Sequence, residues 1–361
     1  MTKDFKINNF DLLRLFAAYE VLLLHSFHHL EIPYPAFFKI MENFPGVAMF
    51  FVMSGFLISA SLERNQGLKV YFKNRALRIF PALWVCIFLT VITIYLFSGI
   101  SFINSESIPW LLTQLLGFIY TPNFLSGFGF GSYNGSLWTI PLELQFYVVL
   151  PIVYYILSKF AKTESGRSAI LIIIFSIFLV GTFFIRSEPG YFTDAETTTQ
   201  KLLRYTFIPN IFLFFFGNVL QRLKIYKSDF IHGKGLVWVA LFIFFAYVSP
   251  PTIFFELAKL LFLGVTTISL AYTLPTLSSK LLKGQDISYG IYIYHGLVLG
   301  VIVELNLLKN SNYVLVIILI TTILAILSWV YVEKYFLRRK NKSESSNASI
   351  KVQNQPSFNQ Y

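Results

Sequence analysis

Several ionisable side chains lie within one apolar segment whose length suits a membrane span. Residues 10–30 are mostly apolar but include Asp11, Arg14, Glu20 and His25. Ionisable groups inside a bilayer are costly unless they face the protein interior or water. Arg14 and His25 are eleven residues apart, close to three helical turns, so one helix face would carry both about 16 Å apart. This spacing indicates chemistry that crosses the membrane. Glu20 is well off that face, so we leave it out of the predicted site.

His25 has the properties of a general base. Imidazole titrates near neutral pH and can take a proton from a reacting hydroxyl. The alternative is a buried core histidine that is hydrogen-bonded to a neighbour. His28 and His29 follow closely, but no cysteine or carboxylate completes a recognised zinc-ligand spacing. We therefore predict no metal site.

Another apolar segment, residues 137–158, also contains an ionisable group, Glu143. The predicted topology places it near the outer end of that segment, at about the depth of His25. The two side chains could then act as base and orienter, or as acid and base. A structural role, with Glu143 bonded to Trp138 or a tyrosine, fits the sequence equally well.

Arg75 and Arg78 are three residues apart in a loop that leads into the apolar segment 79–99. Paired guanidinium groups suit phosphate oxygens, which favours a phosphate clamp. They are equally typical of a cytoplasmic anchor whose aliphatic stems lie along the bilayer. Asp11 and Arg14, also three residues apart, can form an ion pair on their helix.

Polar side chains interrupt the apolar segment 287–306. Ser288, Tyr289, Tyr292 and His295 all lie in its first half. Hydroxyl groups in lipid need hydrogen-bond partners, so we expect this helix to face the interior of a bundle.

The composition is typical of a polytopic membrane protein. The chain has 361 residues, of which 55% are hydrophobic and only 13% are charged. Average soluble domains carry about 25% charged residues. The net charge of +11 comes mostly from alternate loops, which reflects membrane topology and anionic headgroups rather than nucleic acid. The single cysteine, Cys86, can form no disulfide within the chain.

The pattern predicts an all-α integral membrane protein with about ten transmembrane helices in one bundle. Residues 100–136 contain no Lys or Arg, whereas the loops at the opposite side are basic, so both termini are predicted to be cytoplasmic. Residues 110–120 are too short to span and predict a re-entrant or interfacial helix. The ten predicted spans are residues 10–30, 45–63, 79–99, 137–158, 168–186, 205–221, 234–249, 252–274, 287–306 and 312–336.

Two regions follow from this pattern. Residues 1–337 form the predicted membrane domain, and its first span is retained because no cleavage signal is evident. Residues 338–361 are polar and lack apolar periodicity, which predicts a disordered cytoplasmic tail.

Six motifs, which include the residues discussed above and are named in chain order at the end of this paragraph, give the chain a family resemblance. It resembles membrane acyltransferase family three, the bacterial integral-membrane O-acyltransferases of surface polysaccharides. The resemblance covers about residues 9–337. The chain departs from the family at its last motif, where Glu333 is not followed by x-Pro. The matching positions are Asp11, Arg14 and His25; residues 44–59; Arg75, Arg78 and Pro81; Trp138, Glu143, Phe146 and Tyr147; Ser288, Tyr289, Tyr292 and His295; and Trp329 with Glu333.

The resemblance implies an acetyl-CoA donor on the cytoplasmic side. Arg75 and Arg78 would hold its phosphates, with Arg14 in the channel above them. His25 would act as general base or receive the acyl group transiently, and Glu143 would orient it. The implied supporting residues are Asp11, Trp138, Tyr147, Ser288, Tyr292 and His295.

The implied acceptor is a hydroxyl of an envelope or lipid-linked glycan, for example a lipopolysaccharide O-antigen, at the outer face of the bacterial cytoplasmic (inner) membrane. Transfer would be direct or through a separate periplasmic acyl-accepting protein. Membrane lipids are the expected surroundings, and no nucleic acid is involved. The alternative is a transporter or flippase for a glycan-lipid or small anion, since ionisable groups within the membrane suit that class too.

Overall fold

The computed structural model describes residues 5, 7–63, 67–191, 197–204 and 206–338. Within these ranges the chain is helical and contains no β-strand. The predicted tail beyond Arg338 lies outside the described residues, and so does Arg64 of the predicted basic loops. In chain order the helices are α1 Phe10–His29, α2 Ala36–Met41, α3 Gly46–Leu62, α4 Leu68–Ser98, α5 Ser107–Leu115, α6 Thr139–Phe160, α7 Glu164–Ser187, α8 Thr198–Arg204, α9 Ile211–Arg222, α10 Gly235–Val248, α11 Ile253–Ala271, α12 Leu277–Leu282, α13 Ser288–Glu304 and α14 Asn312–Ser328.

Each of the ten predicted spans contains a helix. Within the described ranges, six helical stretches are long and apolar enough to cross a membrane, and α9, α10 and α13 are shorter apolar helices. The helix α1 has 20 residues and carries the ionisable groups discussed above. The all-helical membrane class is thus confirmed, while the count of ten spans and the side of each terminus stay predictions. The ranges of the six stretches are Ala36–Leu62, Leu68–Ser98, Gly135–Phe160, Glu164–Ser187, Ile253–Ala271 and Asn312–Arg338.

The assignment of Arg75 and Arg78 to a loop is wrong. The helix α4 begins at Leu68 and runs through both arginines, with Pro81 inside it. Hydropathy marks where the apolar run starts, but Lys and Arg are good helix formers, so the helix extends beyond that run. The two arginines are therefore held one turn apart on a continuous helix.

Glycines allow α3 and α9 to pack closely at the centre of the bundle. A Cβ atom on Gly55 would lie 1.9 Å from the carbonyl oxygen of Phe214, and one on Gly217 would lie 2.1 Å from that of Val52. No real Cβ atom tolerates such contacts, so the two backbones meet only because both residues are glycine. This contact fixes α3, which forms the wall between the two cavities described below.

The polar helix α13 lies inside the bundle, as predicted. It packs against α1, α4 and α14, and nearly all of its residues are buried. Its tyrosine hydroxyls find partners: Tyr289 donates to the carbonyl oxygen of Ile79 at 3.0 Å, and the hydroxyls of Tyr292 and Thr139 are 2.7 Å apart.

The segment between α4 and α6 is only partly on the surface. The helix α5 has nine residues, a length of about 14 Å, which is too short to span. The chain then enters the bundle, where Tyr133, Asn134 and Ser136 are buried. The Asn134 amide donates to the carbonyl oxygen of Ile293 in α13 at 2.9 Å. This buried entry determines where α6 begins.

Candidate functional site

Val47 lines two cavities that otherwise have different walls. We name them by the residues of α1 that reach them: the Arg14 cavity and the His25 cavity. Since α1 is a regular helix, Arg14 and His25 are separated by about 16 Å along its axis. The sequence predicts that Arg14 serves the donor and His25 the acceptor, and in the structure the two residues line separate cavities.

The Arg14 cavity is narrow, with a volume of about 110 Å³. The two arginines predicted to bind phosphate, Arg75 and Arg78, line it together with Arg14 and Glu143. Its remaining wall is largely apolar and aromatic. Ser54, Leu57 and Ile58 come from α3, Tyr147 from α6, and Ser288, Tyr289 and Tyr292 from α13.

Two of the three arginines already have carboxylate partners within the chain. Arg78 Nη2 lies 2.6 Å from Asp286 Oδ2, and Arg14 Nη1 lies 3.1 Å from Asp11 Oδ1 and 3.9 Å from Asp286 Oδ2. Burial works to raise the pKa of Asp286, but the guanidinium groups of Arg78 and Arg14 outweigh it and lower that pKa to about 2. Asp286 is therefore ionised at neutral pH and locks both arginines in place.

Asp286 also organises the start of α13. Its Oδ1 accepts hydrogen bonds from the backbone N–H of Ser288 at 3.2 Å and from the Ser288 hydroxyl at 2.5 Å. This carboxylate stabilises a helix N-terminus that would otherwise have free N–H groups. Sequence reasoning missed Asp286 as a site residue, although it directly precedes the Ser288–Tyr289 motif.

Arg75 differs from its neighbours because no carboxylate of the described residues pairs with it. Its guanidinium carbon lies 5.7 Å from the ring centre of Tyr147, and its buried Nε has no hydrogen-bond partner among the residues that the structure describes. A partly buried guanidinium with free donors can take an anion. Of the three arginines, Arg75 is the one left available for a phosphate.

The pairing of Glu143 with His25 is not found. Glu143 lines the Arg14 cavity, where its carboxylate accepts a hydrogen bond from the Tyr147 hydroxyl. The reason is the buried segment around Asn134: because the chain is already inside the bundle there, α6 begins deep and carries Glu143 towards the Arg14 cavity. The tyrosine partner that the sequence left open as a structural alternative is thus Tyr147.

The His25 cavity is much wider, with a volume of about 800 Å³. Its walls come from α1, from the start of α3, and from the segment between α5 and α6. Trp138 lines it, next to polar groups of Thr121, Ser132 and Asn134. Such a mixture of aromatic and neutral polar side chains suits a polyhydroxylated ligand.

The hydrogen bond to His25 comes from His295 of α13. Nδ1 of His25 lies 3.1 Å from Nε2 of His295, and Nδ1 of His295 lies 3.1 Å from the carbonyl oxygen of Ile291. A carbonyl oxygen only accepts, so Nδ1 of His295 carries its hydrogen and Nε2 is an acceptor. In the neutral pair, Nδ1 of His25 then donates to His295, which leaves Nε2 of His25 unprotonated and able to accept a proton.

The other two histidines of α1 take no part in this chain of hydrogen bonds. His29 stacks on Phe130, with ring centres 4.1 Å apart, and His28 is exposed. No group of three His, Cys, Asp or Glu side chains among the described residues could hold a metal ion.

Comparison with known proteins agrees with these features. A protein family described as an acyltransferase domain, acyltransferase 3, matches residues 7–333. Nodulation protein 10 of Rhizobium leguminosarum bv. viciae is 31% identical over 95% of this chain and 96% of its own length. No solved structure matches the chain.

Two further relatives have names that state an activity. The O-acetyl transferase of Shigella phage Sf6 is 28% identical over 93% of this chain and 98% of its own length. The peptidoglycan O-acetyltransferase OatA of Listeria monocytogenes is 26% identical over 70% of this chain and 44% of its own length.

Proposed function

We propose, given that this chain belongs to acyltransferase family 3, that it transfers an acetyl group to a glycan. The donor is cytoplasmic acetyl-CoA. The acceptor is a hydroxyl of an envelope or lipid-linked glycan at the outer face of the bacterial inner membrane. The chain is a multi-pass membrane O-acyltransferase. The observation that carries the proposal is the pair of cavities at Val47, one with arginines and the other with an oriented imidazole.

The donor occupies the Arg14 cavity. Arg75 binds a phosphate of CoA, while Asp286 holds the guanidinium groups of Arg14 and Arg78 at the wall of the same cavity. The narrow, mostly apolar space beyond them suits an acyl-pantetheine arm rather than the nucleotide. That arm needs to cover about 16 Å to bring the thioester from the level of Arg14 to that of His25.

The acceptor occupies the His25 cavity, where His25 is the base. Nε2 of His25 takes the proton of the acceptor hydroxyl while the hydroxyl oxygen attacks the thioester carbonyl carbon. A C–O bond forms and the C–S bond breaks, and the proton on His25 passes to the departing thiolate. His295 holds the tautomer that this step requires.

A glycan acceptor is supported by the name of one relative, a peptidoglycan O-acetyltransferase. Transfer of an acetyl group to oxygen is supported by that name and by the name of a second relative, an O-acetyl transferase. A glycan acceptor is also supported by the size of the His25 cavity and by its aromatic and polar lining. We favour direct transfer over a relay through a separate periplasmic protein, because this chain supplies the base within a cavity of its own.

The decisive experiment supplies membrane vesicles with acetyl-CoA and purified glycan acceptor, and measures free CoA thiol together with acetylated glycan by mass spectrometry. His25→Ala should lose transfer by about a hundredfold or more, the usual contribution of a general base, while its amount in the membrane is unchanged. The matched control is His28→Ala, which removes an exposed imidazole of the same helix and should keep activity. Full activity of His25→Ala, or equal loss in both variants, would contradict the proposal.

A further inference from the structure

Glu20 lies in the wall of the His25 cavity. The sequence prediction left Glu20 out of the site because it is on a different face of α1 from Arg14 and His25. However, α3 and the segment around Asn134 also enclose the face that carries Glu20. The residue is only 1% exposed. It is the one carboxylate among the described residues that line this cavity.

The two oxygens of this carboxylate have different surroundings. Oε2 accepts a hydrogen bond from the backbone N–H of Gly46 at 2.7 Å, and Gly46 is the first residue of α3, where that N–H has no acceptor within the helix. Oε1 is buried and has no hydrogen-bond partner in the part of the chain that the structure describes. A buried acceptor in this condition is unfavourable until a donor reaches it.

Gly46 makes the position of the carboxylate rigid. A Cβ atom on this residue would lie 2.2 Å from the carbonyl oxygen of Ala17 and 3.0 Å from Oε2 of Glu20. Only glycine lets α3 begin this close to α1. One oxygen of Glu20 is thus fixed against a helix terminus, and the broad χ3 torsion still permits the other to turn slightly towards a ligand.

We propose that Glu20 binds a second hydroxyl of the acceptor sugar and thereby decides which hydroxyl is presented to His25. The two residues are five positions apart on α1, about 7.5 Å along its axis, a separation comparable with the width of a sugar ring. Trp138 and Tyr120 in the same cavity offer flat apolar surfaces for such a ring. Glu20 is therefore a specificity-determining residue, and its role rests on the proposed glycan acetylation.

The test uses full-length protein in membrane vesicles and compares wild type with Glu20→Gln. Glutamine keeps an oxygen that can accept from Gly46, so α3 should stay in place and thermal unfolding should be unchanged. The KM for the glycan acceptor should rise roughly tenfold, as expected for the loss of one buried hydrogen bond, while the KM for acetyl-CoA stays the same. The position of the acetyl group, determined by NMR of the product, should become mixed.

The matched control is Glu31→Gln, which makes the same replacement at an exposed residue just after α1 and should match wild type. A Glu20→Gln variant with wild-type acceptor KM and a single product would overturn the inference, leaving Glu20 as a helix cap only. If wild type itself transfers no acetyl group to the glycan, the proposed function fails instead, so the two failures are distinguishable.

Discussion

Nδ1 of His25 lies 3.1 Å from Nε2 of His295, although 270 residues separate them in the sequence. His295 is completely buried and is itself fixed by the carbonyl oxygen of Ile291. These two hydrogen bonds end at a backbone acceptor and so assign the hydrogen of each ring, which leaves Nε2 of His25 unprotonated. His25 also lines a cavity. The arrangement does for His25 what an orienting carboxylate does in other hydrolytic and transfer sites.

Replacing His295 should lower kcat through His25. His295→Ala removes the acceptor for Nδ1 of His25, so both tautomers of His25 become populated, and we expect kcat to fall at least roughly tenfold with little change in either KM. Initial rates of CoA thiol release measure this directly.

Because His295 is buried, His295→Gln is the companion variant: its side-chain oxygen can still accept from His25 and should restore part of kcat. Equal kcat in wild type and His295→Ala would rule out the orienting role.

Arg75 should contribute to donor binding more than any exposed cation nearby. Arg75→Ala removes the guanidinium that has no carboxylate partner in the described part of the chain. We therefore expect the KM for acetyl-CoA to rise about tenfold or more while that for the acceptor is unchanged. Lys73→Ala makes the same charge change at an exposed position of α4 and serves as the control. An unchanged donor KM in Arg75→Ala would show that the phosphates bind elsewhere.

Loss of Arg78 should differ from loss of Arg75 in its effect on stability. Arg78→Ala leaves the buried Asp286 carboxylate with Arg14, 3.9 Å away, in place of its 2.6 Å partner, and a buried charge that loses its closest partner is strongly destabilising. We expect a lower thermal unfolding temperature in detergent for Arg78→Ala and a nearly unchanged one for Arg75→Ala. Similar unfolding temperatures of the two variants would contradict this difference.

Asp286 should stabilise the protein at neutral pH and lose that effect only in strong acid. Its pKa is about 2 in the folded chain against an ordinary value of 3.8. A lowered pKa gives a stabilisation that is fully present above 3.8 and is lost as the pH falls towards 2.

Asp286→Asn should therefore unfold at a lower temperature than wild type by an amount that is constant across the neutral range. The difference is measured by thermal unfolding at several pH values. A difference that changes between mildly acidic and mildly basic pH would mean that another group is responsible.

The glycine contact between α3 and α9 should be intolerant of a methyl group. Gly55→Ala places a Cβ atom against the carbonyl oxygen of Phe214 and should cost about 1–3 kcal/mol of unfolding free energy. Gly181→Ala, at a helix position with no atom within 4 Å of the added Cβ, should be neutral or stabilising by up to about 1 kcal/mol. The two unfolding midpoints in detergent give the comparison, and equal midpoints would refute the close contact.

The sequence by itself determined the helical membrane class and the placement of Arg14 and His25 on one face of α1. Both are local properties: an apolar run of sufficient length must form a helix in lipid, and helical periodicity places Arg14 and His25 on one face without any other segment. The same reasoning placed α13 inside the bundle, since its tyrosines and His295 require partners.

The tertiary structure alone decided which of these groups meet. Asp286 reaches Arg78 across 208 residues of sequence and His295 reaches His25 across 270, and helical spacing carries no information on such pairs. Glu143 was placed wrongly, because only the buried segment around Asn134 sets the depth at which α6 begins. Glu20 was left out because an angle on one helix does not reveal which other segments enclose it.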